Sequence, residues 1–200
     1  MLDLIETAVD RSIQALEQLR SHDGLAFLES VSRQLTRCFL QGNKVLIAGN
    51  GGSLCDAIHF AEELTGQFRK PRRALPAIAL SCPGHLTCVG NDMGFDQVFS
   101  RSIEALGVQG DLFIGLTTSG KSPNLIRAFE MAKQKGLLTA ALLGRGGGAT
   151  RGLADYELII DGLPTSDRIQ EAHMAALHIL VELVEAQLFS TDAAVLAGAG

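Results

Sequence analysis

The 200-residue sequence lacks most features that would direct it to a nucleic acid or to an oxidising compartment. Lysine and arginine number 17 against 22 aspartate and glutamate residues, and the net charge of −5 leaves no basic stripe for a phosphate backbone. The four cysteines form no C-x-x-C motif, which is ordinary for reduced cytosolic thiols. We therefore expect no nucleic-acid partner and no disulfide framework.

Long apolar runs are also missing. No apolar stretch reaches the length of a membrane span, and the amphipathic pattern of residues 1–20 is not that of a signal peptide. With 46% hydrophobic residues, the chain has the size and composition of one domain with a substantial core. We expect a soluble, cytoplasmic protein with no membrane partner.

Short apolar runs alternate with helix-period segments from residue 45 onwards. Strands are predicted at 45–48, 77–80, 112–116, 139–143 and 157–160. Helices are predicted at 3–20, 24–40, 54–68, 95–106, 123–135 and 166–188. Apolar strands separated by helices indicate a parallel sheet covered on both faces. The predicted fold is α/β, a five-stranded parallel sheet in a flavodoxin-like three-layer sandwich with extra N-terminal helices.

The two helices before the first strand and the long last helix exceed what such a fold needs. Their apolar faces favour a helix bundle between subunits. We expect residues 1–190 to form one domain, with 1–41 used in oligomerisation and 42–189 forming the core and closing helix. The small, weakly patterned residues 191–200 are predicted to be a flexible tail.

The most informative segment follows the first predicted strand. Val45-Leu46-Ile47-Ala48 ends in Gly49-Asn50-Gly51-Gly52-Ser53, which leads into a helix. A glycine turn between a strand and a helix gathers backbone N–H groups where an anion can bind. His59 and Glu63, four residues apart, project from one face of that helix. An anion site beside a basic and acidic pair suggests chemistry on a phosphorylated small molecule.

A second turn, residues 115–122, matches the pattern G-x-x-x-x-G-K-[ST]. Taken alone, this phosphate-loop pattern makes a nucleotide hydrolase a reasonable interpretation. Its late position argues against that, because fewer than half of the residues remain for the rest of such a core. The hydroxyls and backbone amides of Thr118, Ser119 and Ser122 can instead hold one phosphate. The dinucleotide pattern G-x-G-x-x-G fails because Leu54 stands at its last glycine.

Both turns end predicted parallel strands, so they should lie at the carboxyl edge of the sheet, where ligands bind in open α/β folds. One phosphomonoester held mainly by Thr118, Ser119 and Ser122, with Ser53 nearby, fits the low basic charge of the chain.

The glycine turn, the His59/Glu63 helix, the hydroxyl turn and the later segments, taken in chain order, resemble the sugar isomerase (SIS) domain family. Within that family they resemble the phosphoheptose isomerases. The resemblance covers roughly residues 1–190 and is carried by residues 49–53, 56–66, 90–92, 117–122, 144–148 and 167–178. A single glycine turn would be a weak match, whereas an ordered set over the whole length is a strong one.

The resemblance implies an aldose–ketose isomerase that converts sedoheptulose 7-phosphate to D-glycero-D-manno-heptose 7-phosphate, the first step of nucleotide-activated heptose biosynthesis. Glu63 and His178 would be its acid/base pair. One zinc ion per active site would be held by His59, Glu63, Gln170 and His178. Similar proteins are cytoplasmic homotetramers with active sites at subunit interfaces, supplying a precursor for lipopolysaccharide or other surface glycans.

The resemblance also implies a set of substrate-binding residues drawn from the quoted segments. They are Asn50, Gly51, Gly52, Ser53, Glu63, Asn91, Asp92, Thr117, Thr118, Ser119, Ser122, Asp167 and Gln170. An alternative stays open, a non-catalytic SIS protein that binds a sugar phosphate or the bacterial replication initiator. Because this sequence contains both residues of the implied acid/base pair, Glu63 and His178, the enzyme is favoured over the binding protein.

The chemistry is reasonable from the residues themselves, because moving a proton between adjacent carbons through an enediol(ate) requires groups that take and return it. A carboxylate and an imidazole suit this near neutral pH. Gln170 and His178 are eight residues apart, about 12 Å along a helix, so one ion requires converging side chains or different subunits. His85 and His173 are predicted to be structural, and Glu62 is predicted to face solvent.

Overall fold

A computed structural model describes residues 1–189, so the predicted tail at 191–200 lies outside the described residues. The strands are β1 (Val45–Gly49), β2 (Ala77–Ala79), β3 (Leu112–Thr117), β4 (Leu138–Gly144) and β5 (Tyr156–Ile160). The α-helices are α1 (Leu2–Glu17), α2 (His22–Leu40), α3 (Gly52–Thr65), α4 (Pro83–Asp92), α5 (Val98–Leu106), α6 (Pro123–Gln134) and α7 (Ser166–Phe189).

The strands form one parallel sheet in the order β2-β1-β3-β4-β5. That is the flavodoxin-like order, with β1 and β3 as neighbours. Their register pairs Gly49 with Leu116, so the turns that follow β1 and β3 emerge side by side. The predicted α/β class and five-stranded parallel sheet are confirmed.

Alternate side chains of each central strand enter different cores, because neighbouring residues of a strand point to opposite faces. Val45 and Ile47 of β1 pack with α2, α3 and α7 on one face. Leu46 and Ala48 pack with α5 and α6 on the other. Every residue of β1 is buried, which explains its continuous apolar run. The sandwich therefore has three layers.

One helix was not predicted. Residues 83–92 form α4, which begins with Pro83 at its first turn. Gly84 and Gly90 weaken the helical pattern, and Val89 is the one buried residue of the helix. A helix that contributes so little to the core leaves almost no periodicity in the sequence.

The N-terminal helices pack against α7, although α1 itself is largely exposed. Ala15 is its one buried residue. Large apolar side chains are exposed along α1: Leu2, Leu4, Ile5, Val9, Ile13 and Leu16. The use of residues 1–41 in oligomerisation stays a prediction, and this apolar surface supports it.

Within residues 1–189, one helix, α7, is long and apolar enough to cross a membrane when judged by length and composition alone. This differs from the expectation that no apolar stretch reaches that length. Buried helices of globular cores pass the same test, and Ala172, Ala176 and Leu180 of α7 are completely buried in the core. The helix therefore gives little support for a membrane span.

Candidate active site

The candidate site lies where the chain leaves β1 and β3 in opposite directions. Helix α3 follows β1 and packs on one face of the sheet, whereas α6 follows β3 and packs on the other. The N-termini of both helices therefore open onto the same crevice at the carboxyl edge of the sheet, which is the usual ligand site of such folds. The two predicted anion-binding turns are brought together there.

A pair of amides joins the two turns. Asn50 donates its Nδ2 to Asn124 Oδ1 at 3.0 Å, and Asn124 Nδ2 donates to Asn50 Oδ1 at 2.9 Å. Asn124 is 2% exposed and lies in the first turn of α6. Sequence reasoning missed Asn124, although its position two residues after Ser122 was a signal that could have identified it.

The turn at 117–122 uses part of its own hydroxyl content to hold its shape. Thr117 is buried, and its Oγ1 accepts a bond from the Gly120 amide at 3.1 Å. Thr118 Oγ1 donates to Ser166 Oγ at 3.0 Å, which connects the turn to the start of α7. Ser119 Oγ accepts a bond from the Lys121 amide at 3.3 Å. The hydroxyls of Ser119 and Ser122 remain the groups best placed to bind an anion.

A glycine-rich segment supports this turn from behind. Gly120 has φ +62°, and a Cβ there would lie 1.9 Å from the carbonyl oxygen of Gly147. Thr150 donates both its Oγ1 and its backbone N–H to the Gly120 carbonyl at 3.0 Å. Residues 144–150 therefore fix the backbone of the turn, which gives the segment Gly144-Arg-Gly-Gly-Gly148 a physical role.

The predicted acid/base pair is in contact. Glu63 Oε1 lies 3.4 Å from His178 Nε2 and 3.4 Å from His59 Nε2. The two imidazole Nε2 atoms are 3.2 Å apart. Helix α3 supplies His59 and Glu63 and α7 supplies His178, and these two helices pack directly together. Residues far apart in the chain thus form one cluster, the His59–Glu63–His178 cluster.

Burial sets the electrostatics of this cluster. The Glu63 side chain is 10% exposed, whereas His59 and His178 are 48% and 39% exposed. Desolvation raises the pKa of the Glu63 carboxyl above its ordinary value, and the nearby His178 and His59 partly oppose this shift. The second oxygen, Oε2, is buried and has no hydrogen-bond partner among residues 1–189. A buried carboxylate oxygen without a partner favours a ligand or a cation.

The cluster also fits a metal ion. The three donor atoms lie within 4.8 Å of one another, with pair distances of 3.2 and 3.4 Å. Tetrahedral zinc with bonds of about 2.0–2.1 Å places its ligand atoms about 3.3 Å apart. Two imidazoles and a carboxylate are ordinary zinc ligands, and three protein ligands leave room for substrate.

Gln170, on α7, contacts the turn at residues 49–53. Its Nε2 donates to Ser53 Oγ at 3.4 Å, and a Cβ on Gly52 would meet that Nε2 at 2.7 Å. Gly52 therefore allows α7 to approach the start of α3. Gln170 and His178 lie eight residues apart on the same helix, about 12 Å along its axis. The participation of Gln170 in metal binding therefore stays a prediction.

Comparison with known proteins decides the family. Residues 9–144 match the model of the SIS domain. A phosphoheptose isomerase from Fusobacterium nucleatum is 58% identical over 161 residues, which are 80% of this chain and 82% of that protein. One from Vibrio cholerae is 47% identical over 187 residues, 93% of this chain and 98% of its own. The chain belongs to the SIS domain family, among the phosphoheptose isomerases.

Solved structures agree with this assignment. A phosphoheptose isomerase from Neisseria gonorrhoeae superposes with a TM-score of 0.84 at 33% identity and covers 92% of this SIS domain chain and 98% of its own. A phosphoheptose isomerase from Francisella tularensis gives a TM-score of 0.83 at 33% identity, with 92% and 97% covered. The fold and the resemblance expected from the sequence are both confirmed.

Two residues of this SIS domain that were not assigned to the site contact its histidines. Glu62 is more than half exposed, as predicted, yet its Oε1 lies 3.2 Å from His59 Nδ1. A carboxylate at the second imidazole nitrogen orients the ring and fixes its tautomer. The Phe68 ring stacks on His178, with centroids 6.1 Å apart and planes 20° apart. The spacing of Glu62 from His59 was a signal that could have indicated the first contact.

Three predicted sugar-binding residues are not brought to the cluster. Asn91 Nδ2 donates to Asp92 Oδ1 at 2.7 Å, and both are exposed at the end of α4. Asp167 is exposed in the first turn of α7 and lies 3.4 Å from Arg168 Nε. Across residues 1–189, no hydrogen bond or ion pair joins them to Glu63 or His178. Their binding roles stay predictions.

Two further histidines lie outside the cluster, where structural roles were predicted. His173 is completely buried, and its Nε2 lies 3.1 Å from the Leu143 carbonyl oxygen. Burial lowers the pKa of His173 to about 4, so it is neutral near pH 7. His85 Nε2 lies 2.8 Å from Ser102 Oγ and 2.9 Å from the Val98 carbonyl oxygen.

Proposed function

We propose that the chain is an aldose–ketose isomerase that converts sedoheptulose 7-phosphate to D-glycero-D-manno-heptose 7-phosphate. This is the first step of nucleotide-activated heptose biosynthesis. The observation that carries the proposal is the contact of Glu63 with His178 at 3.4 Å, beside two helix N-termini suited to an anion. The phosphoheptose isomerases among its relatives give the substrate its identity.

Substrate binding starts at the phosphate. The hydroxyls of Ser119 and Ser122, with the backbone amides of the turn at Thr118 and the N-terminus of α6, hold the phosphoryl group. Ser53 and the N-terminus of α3 lie across the crevice. With the phosphate fixed at one end, the carbonyl end of an open-chain sugar extends towards the His59–Glu63–His178 cluster.

Proton transfer is the task of Glu63 and His178. A carboxylate whose pKa is raised by burial is a stronger base once ionised and can also return the proton to the neighbouring carbon. His178 is more exposed and can exchange protons with the sugar oxygens. The two residues can therefore transfer both the carbon-bound and the oxygen-bound protons of an enediol(ate) pathway.

Zinc is the metal that this donor set would hold. His59, Glu63 and His178, completed by Gln170 or a substrate oxygen, would bind it. When bound, zinc supplies polarisation of the sugar carbonyl and hydroxyl oxygens. Glu63 directs Oε1 towards the histidines, and its buried Oε2 has no partner among the described residues.

The proposed assembly is a cytoplasmic homotetramer with active sites at subunit interfaces. The exposed apolar side chains of α1 require a partner, and a second copy provides the same surface. His59 and His178 are open to one side, where another subunit would complete the site. Light scattering on the purified chain tests the tetramer, and a monomeric mass would exclude it.

The decisive experiment is an isomerisation assay with a panel of five-, six- and seven-carbon ketose phosphates, with and without zinc. We expect fastest turnover with sedoheptulose 7-phosphate, loss of turnover after treatment with a chelator, and recovery when zinc is returned. A chain that binds the sugar phosphate but does not isomerise it with zinc present would instead be a non-catalytic SIS protein.

A further inference from the structure

Arg72 is a buried cation next to the active site that the proposed chemistry does not use. It lies in the segment between α3 and β2, and its side chain is 2% exposed. Its Nε donates to Glu185 Oε1 at 2.7 Å. Its terminal nitrogens donate to the backbone carbonyl of Glu63 at 2.6 Å and to that of Leu64 at 2.8 Å.

All three guanidinium nitrogens of Arg72 have acceptors. The same guanidinium also reaches the carbonyls of Gly66 at 3.4 Å and Arg73 at 3.2 Å. A charge removed from water is costly unless it is paired and its donors are satisfied. Arginine presents five donors in a rigid fork, which lysine cannot reproduce. The chain therefore requires arginine itself at this position, and not only a positive charge.

The bonds of Arg72 connect the two helices that carry the His59–Glu63–His178 cluster. The carbonyls of Glu63 and Leu64 belong to the last turn of α3, where the negative end of the helix dipole favours a cation. Glu185 belongs to α7 and lies seven residues, or two helical turns, after His178. Both residues therefore lie on one face of α7. One guanidinium thus touches the backbone of Glu63 and the helix of His178.

We propose that Arg72 is a positioning residue that sets the distance between Glu63 and His178 by joining the end of α3 to α7 through Glu185. The proposal rests on the proposed function, because the consequence of the link is read in isomerisation and in zinc binding. Its effect falls on kcat and on metal affinity, since the phosphate-binding hydroxyls belong to other segments of the chain.

A neighbouring ion pair provides a matched control. Arg69 lies in the same segment as Arg72, and its Nη1 is 2.5 Å from Glu182 Oε1 of the same helix α7. The side chains of Arg69 and Glu182 are 58% and 47% exposed, so the pair is solvated and contributes little. Arg69→Lys and Arg72→Lys are therefore the same substitution at an exposed and at a buried link between the same elements.

The experiment compares the purified full chain with Arg72→Lys, Glu185→Ala and Arg69→Lys. Steady-state isomerisation gives kcat and KM, competition with a chromophoric chelator gives zinc affinity, and circular dichroism gives the folded fraction and the melting temperature. For Arg72→Lys and Glu185→Ala we expect kcat and zinc affinity to fall about 10-fold or more per folded protein. We expect KM to stay within about twofold and Arg69→Lys to match the unmodified chain.

A purely structural role predicts a different pattern. If Arg72→Lys lowers the melting temperature but keeps the kcat and zinc affinity of the Arg69→Lys control per folded protein, the positioning role is overturned. If Glu185→Ala alone behaves like the control, the link to α7 is overturned. Should Arg72→Lys not fold, Glu185→Ala still decides, because it removes the acceptor on α7 and keeps the guanidinium bonds to α3.

Failure of the proposed function has a separate signature. An unmodified chain that binds zinc but does not isomerise any ketose phosphate fails as an isomerase, while the zinc affinities of the variants still decide the positioning role. An unmodified chain with neither property overturns both proposals.

Discussion

The turn at 117–122 and the His59–Glu63–His178 cluster are built in opposite ways. The hydroxyls of the turn lie within six consecutive residues, and its shape is held by local bonds such as that from the Gly120 amide to Thr117 Oγ1. The cluster is assembled from α3 and α7. In the sequence, strands β2 to β5 lie between these two helices. One region depends on local backbone geometry and the other on helix packing.

This difference separates binding from chemistry. Changes in the turn should weaken the hold on the phosphate in ground state and transition state alike, and therefore raise KM. Changes in the cluster should act on the reacting carbons and lower kcat. Substitutions confined to one region therefore test whether the two can be disturbed independently.

The largest effect is expected from Glu63→Gln. Glutamine keeps the volume of the side chain but cannot accept the carbon-bound proton, so we expect kcat to fall about 10²–10⁴-fold. Binding of the phosphorylated sugar, measured by calorimetry, should change little. The matched control is Glu62→Gln, which alters only the carboxylate at His59 Nδ1 and should lower kcat far less. Turnover of Glu63→Gln equal to that of the unmodified chain would remove Glu63 from the chemistry.

The sequence predicts features built from neighbouring residues better than features that depend on the packing of distant segments. Strand β1 was predictable because both of its faces are buried, which leaves a continuous apolar run. The turns at 49–53 and 117–122 were predictable because glycine and hydroxyl residues stand directly after predicted strands. By contrast, α4 was missed because Pro83, Gly84 and a single buried residue leave no helical period.

The contact between Glu63 and His178 could not be derived from spacing, because it depends on how α3 packs against α7. Only resemblance to the SIS domain family suggested it. Asn124 and Glu62 were missed for a related reason, since an amide or a carboxylate near a helix start or on an exposed face usually binds water. Asn50 becomes apparent as the partner of Asn124 only when the two turns are placed together. His59 and Glu62 are three residues apart on one helix, so their contact was open to a spacing argument.

The next effect is expected at the phosphate. Ser119→Ala removes a hydroxyl from the turn, and a hydrogen bond to a charged group contributes about 1.5–3 kcal/mol, so we expect KM to rise about 10–100-fold. Steady-state kinetics should show kcat nearly unchanged.

Lys121→Ala is the control for this prediction, because Lys121 is exposed. We expect little change in KM. Loss of activity in Lys121→Ala together with tight binding of Mg-ATP by the unmodified chain would instead support a nucleotide-binding loop.

A smaller effect concerns the position of α7, which carries His178. His173 is neutral and buried in α7, with a folded-state pKa of about 4, below the ordinary value of 6.5. Because the unfolded chain binds a proton that the folded chain excludes, stability is fully present above pH 6.5 and falls as the pH drops towards 4. The free energy of unfolding should be about 2 kcal/mol lower at pH 5 than at pH 7 from this residue.

Urea unfolding of the unmodified chain and of His173→Gln at both pH values measures this contribution. Glutamine can still donate to the Leu143 carbonyl but does not titrate, so the variant should lose less stability between pH 7 and pH 5. An equal loss in both proteins would mean that His173 does not contribute to acid sensitivity.

The smallest effect is expected where the two turns meet. Asn124→Ala leaves the Asn50 amide without its buried partner, which should lower the free energy of unfolding by about 1 kcal/mol and raise KM a few-fold. A double-mutant cycle of Asn50→Ala and Asn124→Ala, followed by urea unfolding, isolates the pair. We expect a coupling energy of about 0.5–1.5 kcal/mol. Additive effects would mean that the turns after β1 and β3 hold their shapes independently, and that only the strand register brings them together.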